Sequence, residues 1–131
     1  MLRAVVAVIV GYAAWTLIWV GGNALAFASA GEVAARGERI ADVGELVGMV
    51  VLGVVCSIAG GAACGVISRR SSTAAAVLAI LFLLTGLGVQ LSAWAVFPVW
   101  YHVVFLVSVP VVTFAAGTRV GSTAAPARRV A

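Results

Sequence analysis

The placement of polar and apolar positions divides this chain by where charge is missing. A side chain that must stay hydrated punctuates a membrane sequence wherever the chain leaves hydrocarbon. Three stretches carry no charge at all, Ala4 to Gly31, Leu46 to Ser68 and Ser71 to Thr118, of 28, 23 and 48 residues. A helix takes about 20 residues at about 1.5 Å each to cross about 30 Å of hydrocarbon. The first two stretches therefore hold one span each. The third would run about 72 Å as one helix, so it must turn back on itself.

The turn is expected at Phe97-Pro98. Proline suits a helix start, and Trp94, Trp100, Tyr101 and His102 around it are residues that favour the membrane interface. A break at Thr85-Gly86-Leu87-Gly88 competes, but it leaves a third segment of about a dozen residues, too short to span. The expected spans are about 4–28, 44–67, 73–96 and 98–117, a single four-helix transmembrane domain over 1–118, followed by a short disordered basic tail over 119–131. Asp42-Val43-Gly44-Glu45 has the capping-box pattern and marks the start of the second span. Ser71-Ser72-Thr73 supplies cap hydroxyls before the third.

Composition agrees with this pattern. Of 131 residues 64% are hydrophobic and 9% charged, against about 25% charged in an ordinary soluble domain. The net charge of +4 does not indicate nucleic acid, because the arginines stand singly or in pairs at the ends of apolar runs and not on one face among aromatics and amides. Their asymmetry sets the orientation: with the N-terminus inside, Arg3, Arg69, Arg70, Arg119, Arg128 and Arg129 are inside, and only Arg36 and Arg39 outside. The acids Glu32, Glu38, Asp42 and Glu45 all fall in the outer loop. The fold expected is an all-α antiparallel bundle of four transmembrane helices with both termini cytoplasmic. It belongs in the cell membrane, the cytoplasmic membrane if the source is bacterial, with the lipid bilayer as its first partner.

Arg3, an apolar run and Ala28-Ser29-Ala30 before Gly31 also have the outline of a signal peptide. The run, about 24 residues with Tyr12, Trp15 and Trp19 in it, is longer than the roughly 7 to 15 residues of a signal h-region, which favours a retained span.

The second span has the clearest internal pattern. Gly53, Cys56, Ser57, Gly60, Gly61, Cys64, Gly65 and Ser68 recur at steps of three and four, a face on which helix backbones approach closely. Gly53, Ser57, Gly61 and Gly65 are its packing positions, within the monomer or between copies. Cys56 and Cys64 are separated by about 12 Å of helix rise and cannot pair with each other. His102 stands without a second strong ligand, so no metal or cofactor site is expected. Pro110 removes a helix hydrogen bond and predicts a kink in the fourth span.

One set of residues has the makings of a site. Asn23, Gln90 and His102 lie at a shared depth of roughly 6 to 10 Å from the outer end, with Trp94 one turn from Gln90. They suggest an outward-facing polar pocket walled by Trp19, Trp94 and Trp100; the alternative is that each bonds nearby backbone. No Asp, Glu, Lys or Arg lies in the core of any span, which disfavours proton-driven export. The small multidrug-resistance exporters are similar in size and span number, but they carry a glutamate in the first span where this chain has Tyr12, Ala13, Ala14 and Trp15. No nucleophile is placed beside a base, so no enzyme activity is expected. The reading that results is a non-catalytic module that packs with itself or with a larger membrane partner. The competing one is a minimal channel or facilitator for a small neutral or anionic solute. The topology has a direct check: single cysteines at Gly37 and Ser122, with Cys56 and Cys64 replaced, should label from opposite sides of the membrane. A mature chain beginning at Gly31 would establish the cleaved form.

Overall fold

The computed structural model describes residues 1–69 and 71–123 and is helical throughout. Five helices follow one another: α1 Leu2–Ala26, α2 Ala28–Ala35, α3 Val43–Ser68, α4 Ser72–Ser92 and α5 Val99–Thr123. Four of them, α1, α3, α4 and α5, are long and apolar enough to cross a membrane.

The helix boundaries follow from local chemistry. Asp42 caps α3, its side chain accepting from the Glu45 amide at 3.1 Å. The reciprocal half of the capping box is not made, because Glu45 accepts instead from the Ser29 hydroxyl at 2.6 Å and so ties α2 to the start of α3. Ser71 caps α4 by accepting from the Ala74 amide at 3.1 Å. Between them α3 ends on Arg69 in a left-handed conformation, φ 48°, uncommon without glycine and suited to stopping a helix within one residue. The turn expected at Phe97-Pro98 is present, and the Tyr101 amide donates to the Pro98 carbonyl as α5 begins.

Three boundaries differ from the sequence reading. The first span stops at Ala26, because Phe27 leaves the helical region (φ −130°) and puts its ring against Gly48. The chain then makes the separate short helix α2, with Ala30 fully buried. The third span ends at Ser92, and residues 93–97 form a turn pinned by the Ile40 amide donating to the Val96 carbonyl. The fourth helix continues to Thr123 through Pro110, so residues 119–123 of the expected tail are helical. Residues 124–131 lie outside the described residues.

The four long helices form a ring in the order α1, α3, α5, α4. Pairings along the sequence give their directions. Gly11 meets Gly60 and Phe27 meets Gly48, so α1 and α3 are antiparallel; Gly53 meets Phe105 and Gly65 meets Gly117, so α3 and α5 are parallel. Antiparallel packing of α4 on α5 brings Gln90 to His102 and Ala75 to Gly117. Consecutive helices α3 and α4 touch little, and α4 finds its main neighbour in α5.

The small-residue face of α3 makes this arrangement physical. Gly53, Cys56, Ser57, Gly60, Gly61, Cys64 and Gly65 are all buried. A methyl group on Gly60 would stand 2.8 Å from the Gly11 carbonyl oxygen, and one on Gly11 2.7 Å from that of Gly60. On the adjacent face, methyl groups on Gly61 and Gly65 would collide with the carbonyl oxygens of Thr113 and Gly117. These obstacles are backbone and cannot swing aside. Gly61→Leu and Gly65→Leu should therefore destabilise the fold by about 1–3 kcal/mol or more, seen as a lower midpoint in detergent or thermal unfolding. Gly21→Leu, where nothing lies within 4 Å, should leave the midpoint in place.

Candidate functional site

Gln90, near the end of α4, and His102, in the first turns of α5, converge across the turn that joins those helices. Gln90 Oε1 and His102 Nδ1 are 2.6 Å apart, and both residues are almost wholly buried. The other ring nitrogen, Nε2, is 3.4 Å from the Trp94 carbonyl oxygen. A neutral imidazole has one donor and one acceptor. Both nitrogens are satisfied at once if Nε2–H donates to the Trp94 carbonyl and the Gln90 amide, with its carboxamide turned over, donates to Nδ1. Trp94 lies flat on the imidazole, ring centres 4.3 Å apart and planes 5° from parallel, while itself half exposed. The turn at 93–97 thus lids the histidine.

Asn23 does not join this pair. Its Nδ2 donates to the Trp19 carbonyl one turn back on α1 at 2.9 Å. It reaches the same space in another way. Asn23 and Gln90 border one cleft of about 430 Å³ between α1 and α4, closed at the back by Phe97, Tyr101 and Phe105. The expected polar level is therefore divided: Gln90 and His102 in contact, Asn23 across a cavity from Gln90.

The walls also differ from expectation. Of Trp19, Trp94 and Trp100, only Trp19 borders the cleft. Trp94 covers His102 on its far side, and Trp100 is exposed with its ring edge toward Tyr101. The rings that line the cleft belong to a continuous series, Tyr12, Phe82, Trp15, Trp19, Phe105, Tyr101 and Phe97, each within 5.8 Å of the next. Such spacings lie in the attractive range for aromatic pairs. Polar atoms along the series are largely paired: Tyr12 and Thr85 hydroxyls are 2.9 Å apart, Trp15 Nε1 donates to Ser57 Oγ at 3.2 Å, and Ser57 donates to the Gly53 carbonyl at 2.7 Å.

Tyr12, Trp15, Thr16, Trp19 and Asn23 occupy one face of α1 at steps of three and four, and Phe82, Thr85, Gly86, Val89 and Gln90 one face of α4. That periodicity is present in the sequence and identifies the cleft walls; what it does not reveal is that α1 and α4 are neighbours. A second cavity, of about 560 Å³ under α2, shares Trp19, Asn23, Phe97 and Tyr101 with the cleft and includes Glu32 at its outer edge. Among the described residues no group of three or more His, Cys, Asp or Glu side chains could hold a metal ion.

Gln90→Leu should leave a buried imidazole nitrogen without a partner, at a cost of about 1–3 kcal/mol. Because the two residues act as a pair, Gln90→Leu with His102→Phe should cost less than the sum of the single changes in an unfolding double-mutant cycle. The chain matches no known protein-family model, no curated protein and no solved structure.

Proposed function

We propose that this protein is a small non-catalytic membrane module that acts by packing against a second copy of itself, through the face of α4 turned away from its own bundle. The observation that supports this is a spacing. Val77, Ile80, Leu84, Leu87 and Leu91 follow one another at steps of three, four, three and four, and all are exposed, between 38% and 66%. The residues α4 buries in its own bundle, among them Leu78, Phe82 and Gln90, lie on the opposite side. Alternating steps of three and four give the seam of a two-helix coiled coil, in which side chains of one helix fill gaps between those of the other. In lipid the gain comes from interdigitation and van der Waals contact, since burial from water no longer contributes.

The orientation belongs to the same proposal. Arg3, Arg69 and Arg119 stand at one end of the bundle, while Arg36, Arg39 and the four acids stand at the other. Cytoplasmic termini satisfy the preference of short basic segments for that side. Both copies then present α4 in the same direction, and a two-fold axis along the membrane normal sets each seam residue against its own counterpart.

Passage of a small solute past Asn23, Gln90 and His102 is the competing reading. Weighing against it, Gln90 and His102 bond each other and Asn23 bonds its own helix.

Single cysteines at Ile80, Leu84 or Leu87, with Cys56 and Cys64 replaced by alanine, should form disulfide-linked dimers in native membranes under mild oxidation. Val89→Cys, exposed but on the cleft side, should not. Equal cross-linking at all four positions would mean random collision. Cross-links from Leu84 to a different protein alone would point to a larger membrane partner.

A further inference from the structure

Two polar groups with hydrogen-bonding capacity to spare border one space. Tyr101 is 1% exposed and its hydroxyl makes no hydrogen bond with the described residues. Gln90, 4% exposed, uses one end of its carboxamide on His102 and has no partner for the other end. Both border the cleft of about 430 Å³ between α1 and α4. The hydroxyls of Ser68 and Thr113, buried and without a partner among the described residues, border neither this cleft nor the cavity under α2. The Tyr101 hydroxyl and the Gln90 carboxamide are not among such fully enclosed polar atoms, so both keep some accessible surface. A ligand that fills the cleft must supply their partners or lose about 1–3 kcal/mol for each.

We infer that the cleft is a binding site for a neutral membrane-dissolved molecule with a flat ring carrying two oxygens, the prenylated quinone class. Charge sets the first condition: the cleft is lined by no Asp, Glu, Lys, Arg or His, so a carboxylate or phosphate head would lie there uncompensated. The walls set the second. Trp15, Trp19, Phe82 and Phe105 form an aromatic wall, the kind of surface against which a planar head packs. The polar groups set the third, because Gln90 and Tyr101 stand on different helices and call for two oxygens on the ligand. A hydrocarbon chain has none and a sterol hydroxyl supplies one. The volume is within the about 300–1,000 Å³ usual for small-molecule sites.

The tail has a place as well. A second groove of about 390 Å³, lined by Val8, Ile9, Tyr12, Ala13, Leu81 and Thr85, shares Tyr12 and Thr85 with the cleft and continues between α1 and α4 away from the turn. An apolar chain attached to the ring would run along it, facing lipid.

The experiment uses the full chain in lipid nanodiscs and decyl-benzoquinone as the probe, read by quenching of tryptophan fluorescence. Trp15 and Trp19 border the cleft and Trp100 does not. Quenching should contain a saturable component at about one quinone per chain, lost in Trp15→Phe with Trp19→Phe and kept in Trp100→Phe. Tyr101→Phe removes a hydroxyl that has no protein partner, so it should weaken binding about fivefold and leave the unfolding midpoint unchanged. Gln90→Leu, checked for folding, should weaken binding as much or more. Quenching that stays linear in quinone concentration overturns the proposal, as does equal affinity in Tyr101→Phe. Displacement by hexadecane or a sterol as readily as by a second quinone overturns it too, since the cleft would then be filled by any apolar molecule. A Tyr101→Phe protein that loses its fold would show that the hydroxyl has a structural role instead, with the same consequence.

Discussion

The rest of this structure depends on backbone touching backbone along one helix. In lipid, apolar side chains gain nothing by leaving one hydrocarbon environment for another, so helices associate only where they come close enough for dispersion contacts to accumulate. α3 provides that closeness on two sides, to α1 through Gly60 and Gly11 and to α5 through Gly61, Gly65 and Gly117. With α3 so placed, α1 and α5 are held apart except where the long rings of Trp19 and Phe105 reach each other, and α4 is left to bridge the gap on the far side. It packs well on α5 and thinly on α1, and the cleft is what remains of the fourth seam.

That cleft is also where larger side chains replace glycine. Along α1 the small residue at position 11 gives way to Tyr12, Trp15 and Trp19, whose rings meet Phe82 from α4 and Phe105 from α5. Close packing and aromatic filling thus adjoin along the same helix, with Gly60 of α3 meeting both Gly11 and Trp15. The polar pair Gln90 and His102 sits where the aromatic series meets the 93–97 turn, in a region whose hydrogen bonds are made locally and across a short connection. Such local closure keeps an imidazole and a carboxamide in an apolar bundle without recruiting an ionised group.

Much of this was legible in the sequence, for reasons that can be named. Spans are readable because absence of charge over some twenty residues has few causes, and the Phe97-Pro98 turn because proline and interface aromatics point to the same place. The α3 packing face is readable because glycine, serine and cysteine at helical spacing leave no other use for that side. Helix α2 was not legible: nothing in Ala28–Ala35 breaks the apolar run before it, and its separation from α1 depends on Phe27 turning to pack on Gly48. The helix adjacency that makes the cleft was hidden too. In a bundle with short connections, sequence order suggests that α3 and α4 are neighbours, whereas the two faces α3 commits to glycine contacts push α4 to the other side. Asn23 borders the same cleft as Gln90, but position along a helix says nothing about whether an amide turns inward or back to its own helix.

The ring order has a consequence for how the chain assembles in a membrane. Helices enter the bilayer in sequence, and α1 and α3 can form their glycine contact as soon as both are inserted. α4 arrives next, connected by a very short link, yet its principal surface is on a helix that has not been made. Until α5 is inserted, the carboxamide of Gln90 on α4 and the second glycine face of α3 stand without the neighbour that fits them. Completion of the bundle is therefore tied to the last helix in the chain. α1 and α3 can pair before it, and α4, held until then by its thin seam with α1, gains its main surface only when α5 is beside it.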